Sequence, residues 1–447
     1  MNCISRTCFI VAIVLGAAIS AHAESATNHP LIHWPVRPTW KRLYSDRVTI
    51  LNPAYPLRPT ARWDVLILYA DGSLHALNPS NGRIVWPKPI PCRRQPTLLG
   101  MDSQSCYFAT PHRLFALSRI DGRQQWQYGE PPDDDPRADP EWSVAWTHTA
   151  MTHRHVFAAS DRGELACLDL EDGTLRWHRE TGARIDALVA SDRRAYYGQR
   201  AGSQYRIITL DTSTGHPLHT LRCEERASNP LLVLADDGSL IAIRSTRILS
   251  IQSGASAVRW RLNTPGRFVP STLSLSPDRL MISDDGRRID GYDPRNGKRS
   301  WRSPSIGTDT REGLWTALAG GRLIAASGDA LVDIDTFDGH IVWKAHRPPG
   351  IRLQSPLITA DSIVMLSEAR RRPRPIAPMD HAPSDGTRRY RIRCFELDGG
   401  KEMRVSENGA LITEPIESYG GLFARDGALI LLDGDQLIGY GEGKNSE

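Results

Sequence analysis

His148, His153 and His155 crowd one short stretch, THTAMTHRH. On a strand, residues 153 and 155 share a face, which is how two imidazoles reach one metal ion. No cysteine or carboxylate stands nearby at a spacing that completes such a site, so these histidines are expected to be structural or solvated. A second stretch, GEPPDDDPRADPEW (residues 129–142), gathers Asp133, Asp134, Asp135 and Asp139. Carboxylates of that density can bind calcium, but the spacing matches no calcium loop and prolines interrupt it. A third, RRRPRPIAPMDHAPSDGTRRYRIR (370–393), sets Arg370, Arg371, Arg372, Arg374, Arg388 and Arg389 among four prolines. Guanidinium groups at that density suit an acidic protein surface or an anionic polymer of the cell envelope. This is the candidate partner-binding element. No nucleophile elbow, zinc-protease helix, P-loop or dinucleotide fingerprint occurs, so no catalytic residue is assigned.

The frame that carries these stretches is a repeat. A thirteen-residue window runs from Leu74 to Trp86, and equivalents start at Leu114, Leu165, Ile207, Ile248, Ile289, Leu331 and Ile392. Most starts lie 40–42 residues apart, the two longer intervals being 51 and 61. The first and fourth columns are apolar, and the fifth is Asp, Asn or a polar relative. Glycine fills the ninth column at Gly82, Gly122, Gly173, Gly215, Gly297, Gly339 and Gly400, with Ser256 the exception. Tryptophan fills the last at Trp86, Trp126, Trp177, Trp260, Trp301 and Trp343, with His219 and Arg404 the exceptions.

Each column has a physical reading. The apolar columns describe a strand covered on both faces. The Asp or Asn column opens a turn by accepting bonds from the amides ahead, and the glycine takes a positive φ. Two further strand signals precede most windows, so one period holds about four strands. Four-stranded sheets with two apolar faces bury both only by stacking around an axis. The expected fold is therefore all-β, a propeller of four-stranded antiparallel blades with the tryptophans tying each blade to the next. The windows plus a composite terminal blade make nine; the usual architecture for such repeats has eight, and eight is the expectation with nine as the alternative. LIHWP (31–35) resembles RIVWP (83–87), so residues 31–34 are expected to close the ring beside Gln436–Tyr440.

The pattern in LDLEDGTLRW, YDPRNGKRSW and IDTFDGHIVW resembles the repeat of quinoprotein-type β-propellers, over roughly residues 31–440. The resemblance implies one of two functions. One branch holds dehydrogenases that bind pyrroloquinoline quinone and calcium over the propeller axis, often beside a pair of adjacent cysteines. This chain has no adjacent cysteine pair. The other is similar to the non-catalytic periplasmic propeller of the outer-membrane β-barrel assembly machinery, a docking platform without cofactor. The chain agrees with the second in size and in its regular spacing, and departs from it in lacking a lipid-modifiable cysteine after its leader.

Arg6, the apolar run Phe9–Ile19 and Ala21-His22-Ala23 read as a signal peptide over residues 1–23, leaving 24–447 as one domain with an arginine-rich insertion at 370–391. A periplasmic or secreted, soluble, monomeric scaffold with a protein partner is expected. A quinone-binding oxidoreductase is the alternative, and an anionic-polysaccharide binder the second. A net charge of +4 is too small to imply nucleic acid by itself, and no nucleic-acid partner is expected. Five cysteines follow the leader, scattered; export permits a bridge, and Cys92 and Cys106 are the pair closest in sequence.

Overall fold

A computed structural model describes residues 37–441 apart from a number of connections, the longer ones being 52–64, 130–144, 224–230, 264–271, 308–313, 370–388 and 403–418. Among the described residues the strands pair into nine four-stranded antiparallel sheets. The molecule is a nine-bladed β-propeller: nine is the count the windows themselves produce, and it replaces the expected eight. In chain order the blades span 49–91, 97–129, 146–180, 185–223, 231–263, 274–302, 315–346 and 351–402, and the ninth joins 419–441 to 37–43.

Within a blade the strands follow one another outward. The first strands of successive blades are neighbours, as Trp146–Met151 is to Ile185–Ala190 and the latter to Leu231–Leu234, so they face the axis. The cores lie between blades rather than within them. Leu74, Ala76 and Trp86 of blade 1 share a core with Leu98, Phe108 and Phe115 of blade 2. Met281, Ile289 and Trp301 of blade 6 meet Leu323, Ala325 and Val332 of blade 7 in the same way. Such a core exists only when both neighbours are present, so each blade depends on the next for its buried apolar surface.

The ring closes through a different segment from the expected one. Arg37–Leu43 pairs antiparallel with Gln436–Gly441, with Trp40 opposite Gly439. Trp301 stands opposite Gly291, and Trp126 opposite Ala116, in the corresponding register. Trp40 is thus the closing tryptophan in the ladder; the expected residues 31–34 lie outside the described residues. Local likeness to RIVWP chose the wrong tryptophan because pairing register, not the tetrapeptide, decides which residue is opposite which. The closure carries its own core, in which Tyr44, Val48 and Leu66 pack with Ile430, Leu432 and Leu437. No helix among the described residues is long and apolar enough to cross a membrane.

Candidate functional site

The repeat columns become one device. The Asp or Asn of the fifth column accepts a backbone N–H two residues on, as in Glu171 to Asp169 (2.9 Å) and Arg295 to Asp293 (2.8 Å). The ninth-column glycine closes the turn by donating its N–H to the fifth-column carbonyl, for instance Gly297 to Asp293 at 2.8 Å. Its φ lies between 66° and 78° at Gly82, Gly122, Gly173, Gly215, Gly297 and Gly339, a region that side chains resist.

Onto this turn comes the indole of the preceding blade. Trp86, Trp126, Trp177, Trp260, Trp301 and Trp343 donate Nε1–H to the carbonyls of Arg119, Leu170, Thr212, Pro294, Thr336 and Leu397, at 2.8–3.1 Å. Those acceptors all occupy the sixth column of the next window. The ring lies against the glycine itself: a Cβ at Gly215 would come within 2.6 Å of Trp177, and one at Gly339 within 2.4 Å of Trp301. Glycine is required twice over, by φ and by contact. Blade 7 adds a charged link. Arg322 binds the fully buried Asp333, by Nε at 2.7 Å, and reaches across to Asp398 in the turn of blade 8 at 2.7 Å. Burial pushes the Asp333 carboxyl up and the Arg322 guanidinium opposes that rise. Sequence reading missed this link. Its signal was Asp333 in the third column, where the other windows carry Ala, Cys, Thr, Ser or Gly.

Strand order sorts the connections between two faces. The turns linking first to second and third to fourth strands lie on one face. Those linking second to third strands, and one blade to the next, lie on the other. Ala369 and Arg389 are paired ends of the second and third strands of blade 8, so the arginine-rich segment leaves from that second face. Arg389 and Arg391 belong to the strand Arg389–Glu396, so the connection itself spans 370–388. Arg370, Arg371, Arg372, Arg374 and Arg388 lie outside the described residues. The acidic segment with Asp133, Asp134, Asp135 and Asp139 also lies outside them. It joins Gly129 to Trp146, between blades 2 and 3, and so leaves from the same face.

The histidines do not converge. His153 sits in a turn, its ring 3.4 Å from Asp192 of the next blade. His155 is edge-on to Phe157, and burial draws its pKa down. His148 lies on an axial strand beside Arg184 and Asp186. Burial, with the positive charge of Arg184, depresses it to about 4, against a hydrogen bond that the ring donates to the Asp186 backbone carbonyl. Arg184 in turn holds Asp186 at 3.3 Å. Sequence spacing cannot reveal this group, because its members come from successive blades. Asp186 is the one carboxylate on the described first strands. Calcium takes six to eight oxygens; the described first strands offer it one carboxylate, which Arg184 already holds. Asp335, Asp338 and His340 come within 4.8 Å of one another. Asp338 and His340 are bonded at 2.6 Å in an exposed turn of the kind just described, far from the axis. Cys92 and Cys106 share one core but remain thiols, as do Cys167, Cys223 and Cys394.

The chain matches the family described as outer membrane protein assembly factor BamB over residues 110–276 and 285–389. No curated protein matches it in sequence. Among solved structures, the computationally designed protein Ika8 is similar at a TM-score of 0.50 and 12% identity, covering 72% of this chain and 94% of its own. BamB from Moraxella catarrhalis gives a TM-score of 0.47 at 14% identity, covering 74% and 96%. A quinohemoprotein alcohol dehydrogenase from Pseudomonas putida gives 0.47 at 10%, covering 98% and 82%.

Proposed function

Because this chain belongs to the outer membrane protein assembly factor BamB family, we propose that it is an exported, non-catalytic propeller that docks a protein partner in the cell envelope. The observation that carries the reading is the family match, which extends over more than half the chain. The architecture supports it. The repeat's tryptophans, glycines and turn aspartates are spent on locking blades together, which makes the ring a platform of fixed shape, as a docking scaffold needs. Residues 1–23 act as the export signal, and the mature chain is a monomer in the periplasm or outside the cell.

The proposed contact is the face that bears the longer connections. Arg370, Arg371, Arg372, Arg374, Arg388 and Arg389 take an acidic surface of the partner, through charge-assisted bonds that salt weakens. The test is copurification of the mature protein from envelope extracts at low and high salt, beside a variant with all six arginines changed to Gln. The reading expects a defined partner that is lost at high salt and reduced in the variant. A partner retained equally by the variant removes the arginines from the interface. Retention on an immobilised anionic glycan, with no protein partner, favours the polysaccharide reading. The oxidoreductase reading predicts saturable tryptophan quenching and a raised melting temperature on titration with pyrroloquinoline quinone and calcium; the scaffold reading predicts neither.

A further inference from the structure

Arginine stands immediately before the first column in five windows, at Arg113, Arg206, Arg247, Arg288 and Arg391. Of those whose side chains are described, Arg113 is the one that is buried, to nine-tenths. It opens the third strand of blade 2, Arg113–Ser118. Its guanidinium lies over the Phe115 ring, 4.2 Å from the centroid, and Phe115 belongs to the core between blades 1 and 2. Among the described residues the Arg113 side chain makes no ion pair and no hydrogen bond. Only its backbone is tied, N–H to Thr110 Oγ1 at 3.1 Å and carbonyl to the Thr110 N–H at 2.8 Å. The ladder position opposite is Gly129. A Cβ there would stand 2.4 Å from the His112 carbonyl oxygen, so no side chain covers the guanidinium from that position.

The connection from blade 1 brings two more arginines to the same end of this seam. Arg94 Nη1 donates to His112 Nε2 at 2.8 Å, so the residue before Arg113 meets Arg94 as a neutral acceptor. Arg93 is exposed. Tyr69 holds the connection in place by donating its hydroxyl to the carbonyls of Cys92 and Arg93, at 3.0 and 3.3 Å. Asp71, whose neighbour Gly72 accepts the Cys92 N–H at 2.8 Å, pairs with none of the three arginines. This end of the seam lies on the face that bears the acidic and arginine-rich connections. Taking a guanidinium out of water without a counter-ion is costly. One whose face rests on an aromatic ring keeps its N–H edge ordered for a planar anion.

We propose that Arg113 anchors one Asp or Glu side chain of the protein partner, with Arg94 and Arg93 at the rim of the site. The inference rests on the scaffold reading and adds a contact on its proposed face, at the seam of blades 1 and 2. The carboxylate meets the guanidinium edge as a bidentate pair. A buried arginine shielded from water holds its partner more firmly than the exposed arginines of 370–389, which salt screens. The chain's own acidic connection leaves from Gly129, opposite Arg113, and is the competing occupant.

The test uses a fluorescein-labelled hexaglutamate peptide, with hexalysine as control, read by fluorescence anisotropy. The protein is the full mature chain with the six arginines of 370–389 changed to Gln, so that the arginine-rich connection contributes nothing. Saturable binding of the acidic peptide alone is expected. It should weaken about tenfold or more in Arg113→Gln, the loss of one charge-assisted contact. It should weaken comparably in Arg113→Lys, which keeps the charge and loses the planar fork, and less in Arg94→Gln. Arg113→Gln should melt no lower than its parent, because it removes a buried charge, and the peptide should raise the melting temperature of the parent alone. Unchanged affinity in Arg113→Gln or Arg113→Lys overturns the proposal, as does no saturable binding. Equal competition by inorganic phosphate or by vesicles of anionic phospholipid overturns the carboxylate assignment. Tighter binding when Glu130, Asp133, Asp134, Asp135 and Asp139 become amides gives Arg113 to the chain's own connection and overturns it too. If binding follows Arg113 while copurification finds no protein partner, the site stands and the scaffold role falls.

Discussion

Two neighbouring seams differ at both of the columns that interlock the other blades. Between blades 3 and 4, Trp177 donates to Thr212 O at 2.8 Å and lies on Gly215. Between blades 4 and 5 the sequence holds His219 and Ser256 in those two columns, and a shallow groove is lined by Leu221, Leu249, Val258, Arg222, Arg247 and Arg261. The difference shows that tryptophan and glycine are one unit shared by two blades. Glycine is needed because the preceding blade sends an indole onto it, and the sequence places Ser256 in that column where the preceding window ends in His219. The rule holds along the chain. Each of the glycines from Gly122 to Gly400 in that column receives the tryptophan before it. For Gly82 the preceding blade is the ninth, whose ladder tryptophan is Trp40, and Arg42 from that strand donates to Gly82 O at 3.1 Å. Arg179, two residues after Trp177, makes the same reach to Gly215 O. Arg404 fits as well. It precedes blade 9, whose third and fourth strands come from opposite ends of the chain, so no continuous turn waits for an indole there.

The strongest way to break the comparison is to empty a filled seam. Trp301→Ala should cost about 3–5 kcal/mol, as large aromatic truncations do. Gly339→Ala should be destabilising in the same seam, since it sets a Cβ at φ +78° against the indole. His219→Ala should cost less than about 1 kcal/mol. Denaturant midpoints of the three variants check the ranking, and equal losses at Trp301 and His219 would remove the distinction between seams.

Filling the open seam is the converse. His219→Trp with Ser256→Gly should stabilise by about 1–2 kcal/mol. His219→Trp alone should gain less, because in the filled seams a Cβ at the ninth column would meet the indole, as at Gly215 and Gly339. A double-mutant cycle reads the coupling directly; strict additivity would mean that the pair is not a unit.

A smaller effect sharpens the contrast between axis and rim. His148, on an axial strand, has its pKa lowered from 6.5 to about 4. The unfolded chain therefore takes up this proton first as pH falls. The contribution is present above about pH 6.5 and is lost progressively towards pH 4. Wild type should lose about 1–2 kcal/mol more than His148→Gln across that window, the full shift being discounted for partial exposure. Parallel melting curves for the two proteins would contradict the burial of His148. At the rim, Asp211→Ala should cost about 1 kcal/mol, because Asp211 accepts the N–H of Ser213 and of Thr214. Gln252→Ala, at the same column in blade 5, should cost less. Urea titration of the two variants makes the comparison.

Much of the fold was legible because it is periodic. Column five had to accept amides, column nine had to take positive φ, and apolar columns had to be covered on both sides; these are local demands, and they recur often enough to exceed accident. The candidate site was less legible. The arginine-rich segment is visible in sequence by charge alone, whereas Arg94 and Arg113 stand apart in the chain and look unremarkable one at a time. Arg322 with Asp398, and His148 with Arg184, are likewise far apart in sequence and adjacent only because one blade follows another.

Period, blade composition and the identity of the interlocking columns thus followed from residue types and spacing, since hydrogen-bonding turns and strand alternation act over a few residues. Blade number, closure through Arg37–Leu43, the shared face of the acidic and arginine-rich connections, and the burial of Arg113 were decided in three dimensions. Each depends on which strand lies opposite which. That is settled by burying the apolar surface between blades, a condition that residues hundreds of positions apart satisfy together.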